Sequence, residues 1–266
     1  MPTQNDDLWR GWESTYFNDG GGFMTPDISS LKSTVAENRQ ILNMLFMIDV
    51  SGSMRGKRIA QVNYALENIF KELRRRDDLH STIKVGLMEF CRDAEWITPQ
   101  PMPLNDFVFT EIDTRQQITC YGAAFDRLNE KLSREGFFNP NLGEYFAPLI
   151  LFVTDGEPVD AGAYPAALER LKRNGWFNKA SKYAIAVGED ARLRSVGELL
   201  ARFTGVRENV RYADEGEALY GLIEFIAVRG SEVQTSMVSS MEGDPRRMGS
   251  LFKEPDPSLF SSMFNA

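Results

Sequence analysis

Two unbroken runs of apolar residues dominate the pattern of hydrophobic and polar positions along the chain. The first lies within Ile41–Ser53, ILNMLFMIDVSGS, and the second lies within the segment PLILFVTDGEP. Strands that are buried on both faces of a parallel sheet have this apolar character without alternation. Each run stops on an aspartate, Asp49 in the first and Asp155 in the second. The pattern therefore predicts two central strands that carry a carboxylate at their carboxyl ends.

Predicted helices and strands alternate over the rest of the region from about residue 39 to 229. The segment KRIAQVNYALENIFKELRRR has one apolar helical stripe, and STIKVGLMEF followed by CRDAEWITPQP predicts a strand with an antiparallel edge hairpin. Further helices are predicted at Gly122–Leu132, Tyr164–Arg173, Leu193–Phe203 and Glu217–Val228, further strands at Tyr183–Val187 and Val210–Tyr212, and an irregular loop at Phe137–Phe146. We therefore predict an α/β fold with a doubly wound, Rossmann-like, mostly parallel sheet and an antiparallel edge strand.

The composition changes at both ends of this region. Residues 1–38 are polar, are interrupted by glycines and carry scattered aromatic side chains, and residues 231–266 are rich in Ser, Met, Pro and Gly. We interpret the first segment as a polar N-terminal extension, with an arm that docks its aromatic residues as the alternative. The last segment is predicted to be a C-terminal tail that is either flexible or docks on a partner. A domain at 39–230 lies between them.

Charge and composition exclude several classes of function. The chain has 266 residues and a formal net charge of −8, which argues against non-specific binding to nucleic acid or to an anionic membrane. The N-terminal residues do not have the pattern of a signal peptide, and no apolar run approaches the ~18 residues that span a bilayer. The two cysteines indicate no disulfide framework. A cytoplasmic protein is expected.

Side-chain oxygens are concentrated where the two apolar runs end. Asp49 is followed by Ser51 and Ser53, Asp155 ends the second run, and Thr119 stands just ahead of a predicted helix. The carboxyl ends of neighbouring parallel strands meet at one crevice in a doubly wound sheet. A set of hydroxyls and carboxylates without His or Cys selects Mg²⁺, Mn²⁺ or Ca²⁺ over Zn²⁺. These residues predict a hard-cation site.

DVSGS, the Thr in TCYGAAF and the block TDGEP occur in the order found in one known family. Over residues 40–229 the chain resembles von Willebrand factor A (vWA) domains that carry a metal-ion-dependent adhesion site. The resemblance implies that Asp49, Ser51, Ser53, Thr119 and Asp155 hold the cation, and that an Asp or Glu of a partner protein completes its coordination. Ile118 stands where many members have Gly.

The spacing TDGEPVD, followed by a helix and SKYAIAVG, is most similar to bacterial tellurium-resistance-linked (TerY-type) vWA proteins. This narrower resemblance implies a cytoplasmic stress-response assembly with a protein kinase or phosphatase as partner. The loops around the site, such as Met54–Lys57 and Glu157–Tyr164, are expected to select that partner. The alternative is a vWA accessory subunit that recruits clients to a MoxR-type or chelatase-type AAA+ ATPase.

Enzymatic readings of the same residues fail on spacing or composition. A P-loop would need Ser or Thr where Arg58 stands, an EF-hand would need Glu where Ala60 stands, and an aspartyl-phosphate enzyme would need Asp at Ser51. The one histidine, His80, lies in a polar turn and is expected at the surface. A metal-dependent hydrolase therefore ranks last, and no enzyme is expected. Asp160 is interpreted as a solvated loop carboxylate.

Overall fold

The computed structural model describes residues 40–75, 81–188, 194–213 and 221. The predicted extensions at 1–38 and 231–266, both ends of the predicted domain at 39–230, and His80 lie outside the described residues. Of the predicted helix Glu217–Val228, only Gly221 is described. These expectations remain predictions.

Seven described strands form one mixed sheet. They are β1 (Gln40–Asp49), β2 (Ser81–Phe90), β3 (Ala94–Trp96), β4 (Met102–Pro103), β5 (Leu149–Thr154), β6 (Ser181–Val187) and β7 (Val210–Ala213). Their order is β3-β2-β1-β5-β6-β7, and β4 also pairs with β2. All pairings are parallel except those of β3 and β4 with β2, which are antiparallel. The predicted doubly wound sheet with an antiparallel edge is confirmed.

The strand order fixes where the topology reverses. From β1 the chain proceeds to β2 on one side, and the later strands β5, β6 and β7 extend the sheet on the other side. Ile48 pairs with Val153, so the carboxyl ends of β1 and β5 are level. A ligand crevice in a doubly wound sheet forms at this kind of reversal, outside the carboxyl ends of the strands.

Helices cover both faces of the sheet, which explains the lack of alternation in the central strands. They are α1 (Lys57–Arg75), α2 (Tyr121–Lys131), α3 (Tyr164–Lys172), α4 (Gly175–Lys179) and α5 (Arg194–Thr204). The apolar stripe of α1 packs on one face against Phe46 and Ile48, among others. Helices α2, α3 and α5 pack on the other face around Leu45, Met47 and Phe152. Successive residues of β1 therefore enter two different cores, and both need apolar side chains.

Short elements are where the sequence-based prediction was incomplete. Helix α4 was not predicted; it begins after Asn174, whose side chain accepts hydrogen bonds from the backbone N–H groups of Trp176 (2.9 Å) and Phe177 (3.3 Å). The predicted irregular loop at Phe137–Phe146 contains one 3₁₀ turn at Pro140–Leu142. Five residues are too few for a helical period to show in a sequence.

Within the residues that the structure describes, no helix combines the length and the apolar character that a bilayer span requires.

Candidate metal centre

The loop that follows β1 brings two serine hydroxyls to the carboxyl end of the sheet. The backbone N–H of Ser51 donates to Asp49 Oδ1 at 2.8 Å, which folds the loop back over the strand end. A 3₁₀ turn at Gly52–Met54 then leads into α1, and the Gly52 N–H donates to the Gln117 carbonyl at 2.9 Å. The loop is therefore held on both sides before any ligand binds.

Three of the five predicted ligands lie in one chain of close oxygen contacts. Ser51 Oγ lies 3.0 Å from Ser53 Oγ, and Ser53 Oγ donates to Asp155 Oδ1 at 2.8 Å. An octahedron with metal–oxygen distances of about 2.0–2.1 Å has edges of roughly 2.8–3.0 Å. The distances from Ser53 Oγ to Ser51 Oγ and to Asp155 Oδ1 thus match the spacing of neighbouring ligands around one small cation. The residues present fit a Mg²⁺-sized ion.

Thr119 reaches this crevice from a third segment. Its backbone carbonyl accepts a hydrogen bond from the Val159 N–H at 2.9 Å, and the nearby Gln117 carbonyl is bound by Gly52. These contacts place Thr119 between the serine loop and the loop that follows β5. The side chain is buried. The structure brings the segment of Thr119 to the site, and its hydroxyl as a ligand stays a prediction.

Asp49 is the most enclosed group of the site. Desolvation by burial raises the pKa of the Asp49 carboxyl to about 6, against the lowering effect of hydrogen bonds from Ser51 and Thr154. Thr154 Oγ1 donates to Asp49 Oδ2 at 2.8 Å. The Tyr121 hydroxyl lies 3.1 Å from Thr154 Oγ1 and donates to the Gly156 carbonyl at 2.6 Å. Asp49 is thus an ionisable group that a bound cation would keep ionised.

Asp155 has a cationic partner within the chain. Arg58 Nη1 donates to Asp155 Oδ2 at 2.7 Å, and it also lies 3.2 Å from the Ser53 carbonyl oxygen. Both carboxylate oxygens of Asp155 are therefore engaged, one by a serine hydroxyl and the other by a guanidinium.

Asp160 is not the solvated loop carboxylate that the sequence suggested. Its Oδ1 accepts from the Tyr121 N–H at 3.1 Å, and its Oδ2 accepts from the Gly122 N–H at 2.8 Å. The carboxylate thereby satisfies two free N–H groups at the start of α2. A Cβ on Gly122 would lie 2.7 Å from Asp160 Oδ2, so this contact requires a glycine there.

Four contributors to the site were not predicted from the sequence: Arg58, Thr154, Tyr121 and Asp160. Thr154 directly precedes Asp155 at the end of an apolar run, and Asp160 follows five residues later in TDGEPVD, so both carried a positional signal. Arg58 and Tyr121 carried none, because their contacts join segments far apart in the sequence.

The site does not have the composition of a carboxylate or histidine cluster. Among the described residues, no group of three or more His, Cys, Asp and Glu side chains is placed to hold a metal ion. The candidate centre instead combines two carboxylates with hydroxyl groups.

Comparison with known proteins identifies the region that contains both strand ends. The family model described as the von Willebrand factor type A domain matches residues 44–157. Mouse inter alpha-trypsin inhibitor, heavy chain 4 is 25% identical over 182 residues, which are 66% of this chain and 19% of that protein. Human inter-alpha-trypsin inhibitor heavy chain H6 is 24% identical over 196 residues, 70% of this chain and 14% of that protein. The matched region thus makes up only a small part of these relatives.

A solved structure shares the fold. Proximal thread matrix protein 1 from the mussel byssus, with a zinc occupied MIDAS motif, superimposes with a TM-score of 0.52 and 16% sequence identity. The superposition covers 71% of this chain and 48% of that one. The family model thus matches the region that contains both strand ends, and the solved structure has the same fold.

Proposed function

We propose that this chain is a divalent-cation-dependent protein-recognition module. Domains of the vWA type are in general protein-interaction modules. In this chain Asp49, Ser51, Ser53, Thr119 and Asp155 would hold the cation. The observation that carries the proposal is the contact chain from Ser51 through Ser53 to Asp155, with oxygen separations of 2.8–3.0 Å at the reversal of the sheet.

Mg²⁺ is the proposed cation, with Mn²⁺ and Ca²⁺ as further hard ions that an all-oxygen set accepts. When bound, it would supply a Lewis-acidic position for a carboxylate oxygen from an Asp or Glu of the partner. Serine and threonine hydroxyls are neutral, so they leave such a position attractive to an anion. The structure of the mussel protein is described with zinc, and the absence of His and Cys from this ligand set favours harder ions here.

The partner would be read by the loops beside the site. Arg55, Gly56 and Lys57 are exposed in the first of these loops. Met54 is buried, so this residue of the predicted contact loop is unable to touch a partner. In the second loop Glu157 and Val159 are exposed. The exposed basic residues of the first loop favour an acidic partner.

The proposed setting is a bacterial cytoplasmic stress-response assembly of the tellurium-resistance type, or a related signalling assembly, with a protein kinase or phosphatase as partner. The TDGEPVD spacing and the strand SKYAIAVG support it. Cys91 and Cys120 are both free thiols, which suits a reducing compartment. The described residues around the site offer ligands and hydrogen-bond donors, and we assign these residues to binding and not to turnover.

Affinity capture from native lysate tests the proposal. Wild type, Asp49→Ala and the control Asp126→Ala, an aspartate on the exposed face of α2, are each used with Mg²⁺ and with EDTA. We expect a kinase or phosphatase to be captured by wild type and by the control only with Mg²⁺, and by Asp49→Ala in neither condition. Capture of an AAA+ ATPase in the same pattern would instead identify an accessory subunit of that machine. Identical partners under all conditions would contradict cation-dependent recognition.

A further inference from the structure

Arg58 is not one of the predicted cation ligands, but its side chain contacts one of them. Its guanidinium is 2.7 Å from Asp155 Oδ2, and the side chains of the pair are 28% and 1% exposed. A fixed positive charge therefore stands next to a buried carboxylate that we assign to a divalent cation.

The residue packed against this guanidinium is a glycine, Gly188. Gly188 follows β6 with φ +91, and a Cβ at Gly188 would lie 2.7 Å from Arg58 Nε and 3.2 Å from Arg58 Cζ. A side chain at this position would push the guanidinium away. The glycine thus provides space for Arg58 at the carboxyl end of the sheet.

Arg58 also lies where a positive charge is unfavourable, at the start of a helix. It is the second residue of α1, and the first turn of that helix contains no acidic residue. Positive charge near a helix N-terminus is unfavourable because the macrodipole is positive there. Departures from local rules concentrate at functional sites.

We infer that Arg58 is a resident counter-ion of Asp155 that weakens the affinity of the site for a bare divalent cation and makes retention of the cation depend on an anionic partner group. This inference rests on the proposed function. The guanidinium already compensates one of the two carboxylates, so a divalent cation entering beside it is repelled at short range. A partner carboxylate is attracted by both positive charges.

Reciprocity of binding then links the two ligands. A carboxylate that binds more tightly when the cation is present must strengthen the binding of the cation by the same factor. Arg58 lowers the affinity for the cation alone more than the affinity for the cation with a carboxylate. The domain would therefore release its cation when it leaves its partner.

Calorimetric titration with Mn²⁺ tests this on the full chain, using wild type, Arg58→Gln and the control Lys71→Gln. The control removes the same charge from an exposed residue of the same helix, away from the site loops. Titrations are made in chloride alone and with acetate as the carboxylate probe at matched ionic strength. We expect Arg58→Gln to bind Mn²⁺ roughly tenfold more tightly than wild type in chloride, with Lys71→Gln within about twofold of wild type. Acetate should strengthen Mn²⁺ binding to wild type more than to Arg58→Gln.

Thermal unfolding provides a second measurement, in which Arg58→Gln should be less stable than wild type without metal although it binds Mn²⁺ more tightly. In EDTA, Arg58→Gln should lower the Tm by roughly 2–4 °C because Asp155 loses its partner, and Mn²⁺ should raise the Tm of this variant more than that of wild type. A variant that is unfolded in EDTA and folded with Mn²⁺ would support the inference in the same way.

Three outcomes would overturn the inference. Arg58→Gln could bind Mn²⁺ no more tightly than wild type, it could bind Mn²⁺ as tightly as Lys71→Gln does, or it could stay unfolded both in EDTA and with Mn²⁺. Wild type that binds no Mn²⁺ with or without acetate would instead contradict the proposed function itself.

Discussion

Asp49 lies at the end of the central strand and is both ionisable and buried. Burial disfavours the charged form of its carboxyl group. Burial raises the pKa of its carboxyl from 3.8 to about 6. The folded state therefore binds more protons than the unfolded state between about pH 4 and pH 6, so the free energy of unfolding falls as pH rises through that interval. In the absence of a cation, the ionised carboxylate destabilises the domain at neutral pH by up to roughly 3 kcal/mol.

Asp49→Asn should remove this destabilisation together with the cation site. In EDTA at pH 7 we expect the free energy of unfolding of the variant to be about 1–2 kcal/mol higher than that of wild type, because the amide carries no charge to desolvate. Urea denaturation from pH 4 to pH 8 measures the effect, which should shrink toward pH 4 because wild-type Asp49 is then protonated.

Mg²⁺ should reverse the order of stability, since it binds the ionised wild type and not the variant. Asp126→Asn, which changes an exposed carboxylate paired with Arg170, serves as the control and should show neither effect. An Asp49→Asn variant that is less stable than wild type in EDTA at pH 7 would contradict the assignment of Asp49 as a destabilising ligand.

Helix α2 depends on a carboxylate from another loop for its N-terminus. Cys120 at the N-cap position makes no side-chain capping bond, and Asp160 supplies both acceptors instead. Because Val159 is bonded to Thr119, the capping loop and the predicted ligand segment are fixed together. The geometry of the site thus depends on the start of this helix.

Asp160→Ala should therefore destabilise the domain by about 1–2 kcal/mol, the usual effect of losing a helix cap. Asp126→Ala removes a carboxylate from the same helix, but its ion pair with Arg170 is about half exposed on both sides, and it should change stability by less than about 0.5 kcal/mol. Urea denaturation of both variants in EDTA makes the comparison. Equal losses would show that Asp160 contributes no more than a surface charge.

Periodicity was sufficient to predict the long elements from the sequence. The fully apolar run of β1 and the stripe of α1 follow from burial on two faces and on one face, respectively. The convergence of Asp49 and Asp155 also followed, because strand ends in a doubly wound sheet meet at its reversal.

The contacts that hold the predicted ligands in place could not be predicted, because they join segments that are distant in the sequence. Arg58 and Asp155 are 97 positions apart, and Tyr121 and Asp160 are 39 apart. The local sequence around each of these residues does not indicate which distant residue it contacts. Helix α4 was missed for a different reason, since its N-cap Asn174 is a single residue before five helical positions.

At the scale of the molecule, the carboxyl end of the sheet also presents apolar surface. Ile118, which is 46% exposed, directly precedes Thr119, and Val159, which is 60% exposed, donates its backbone N–H to the Thr119 carbonyl. Single exposed aliphatic residues are common on protein surfaces. A pair beside a cation site, however, offers a partner an apolar contact next to its coordinating carboxylate. Such a contact would add specificity that the cation alone lacks, because a cation accepts any accessible Asp or Glu.

A double variant, Ile118→Ser with Val159→Ser, should weaken capture of the partner roughly thirtyfold, since each of the two aliphatic contacts contributes on the order of 1 kcal/mol. Its affinity for Mn²⁺ should stay within about twofold of wild type, because neither side chain offers an oxygen to the site. The control pair is Val108→Ser with Leu142→Ser, two aliphatic residues that are 81% and 62% exposed elsewhere on the domain. The control should leave both capture and Mn²⁺ binding unchanged. If both double variants weakened capture equally, general surface hydrophobicity would be the cause. If neither did, recognition would depend on the cation and the charged loops alone.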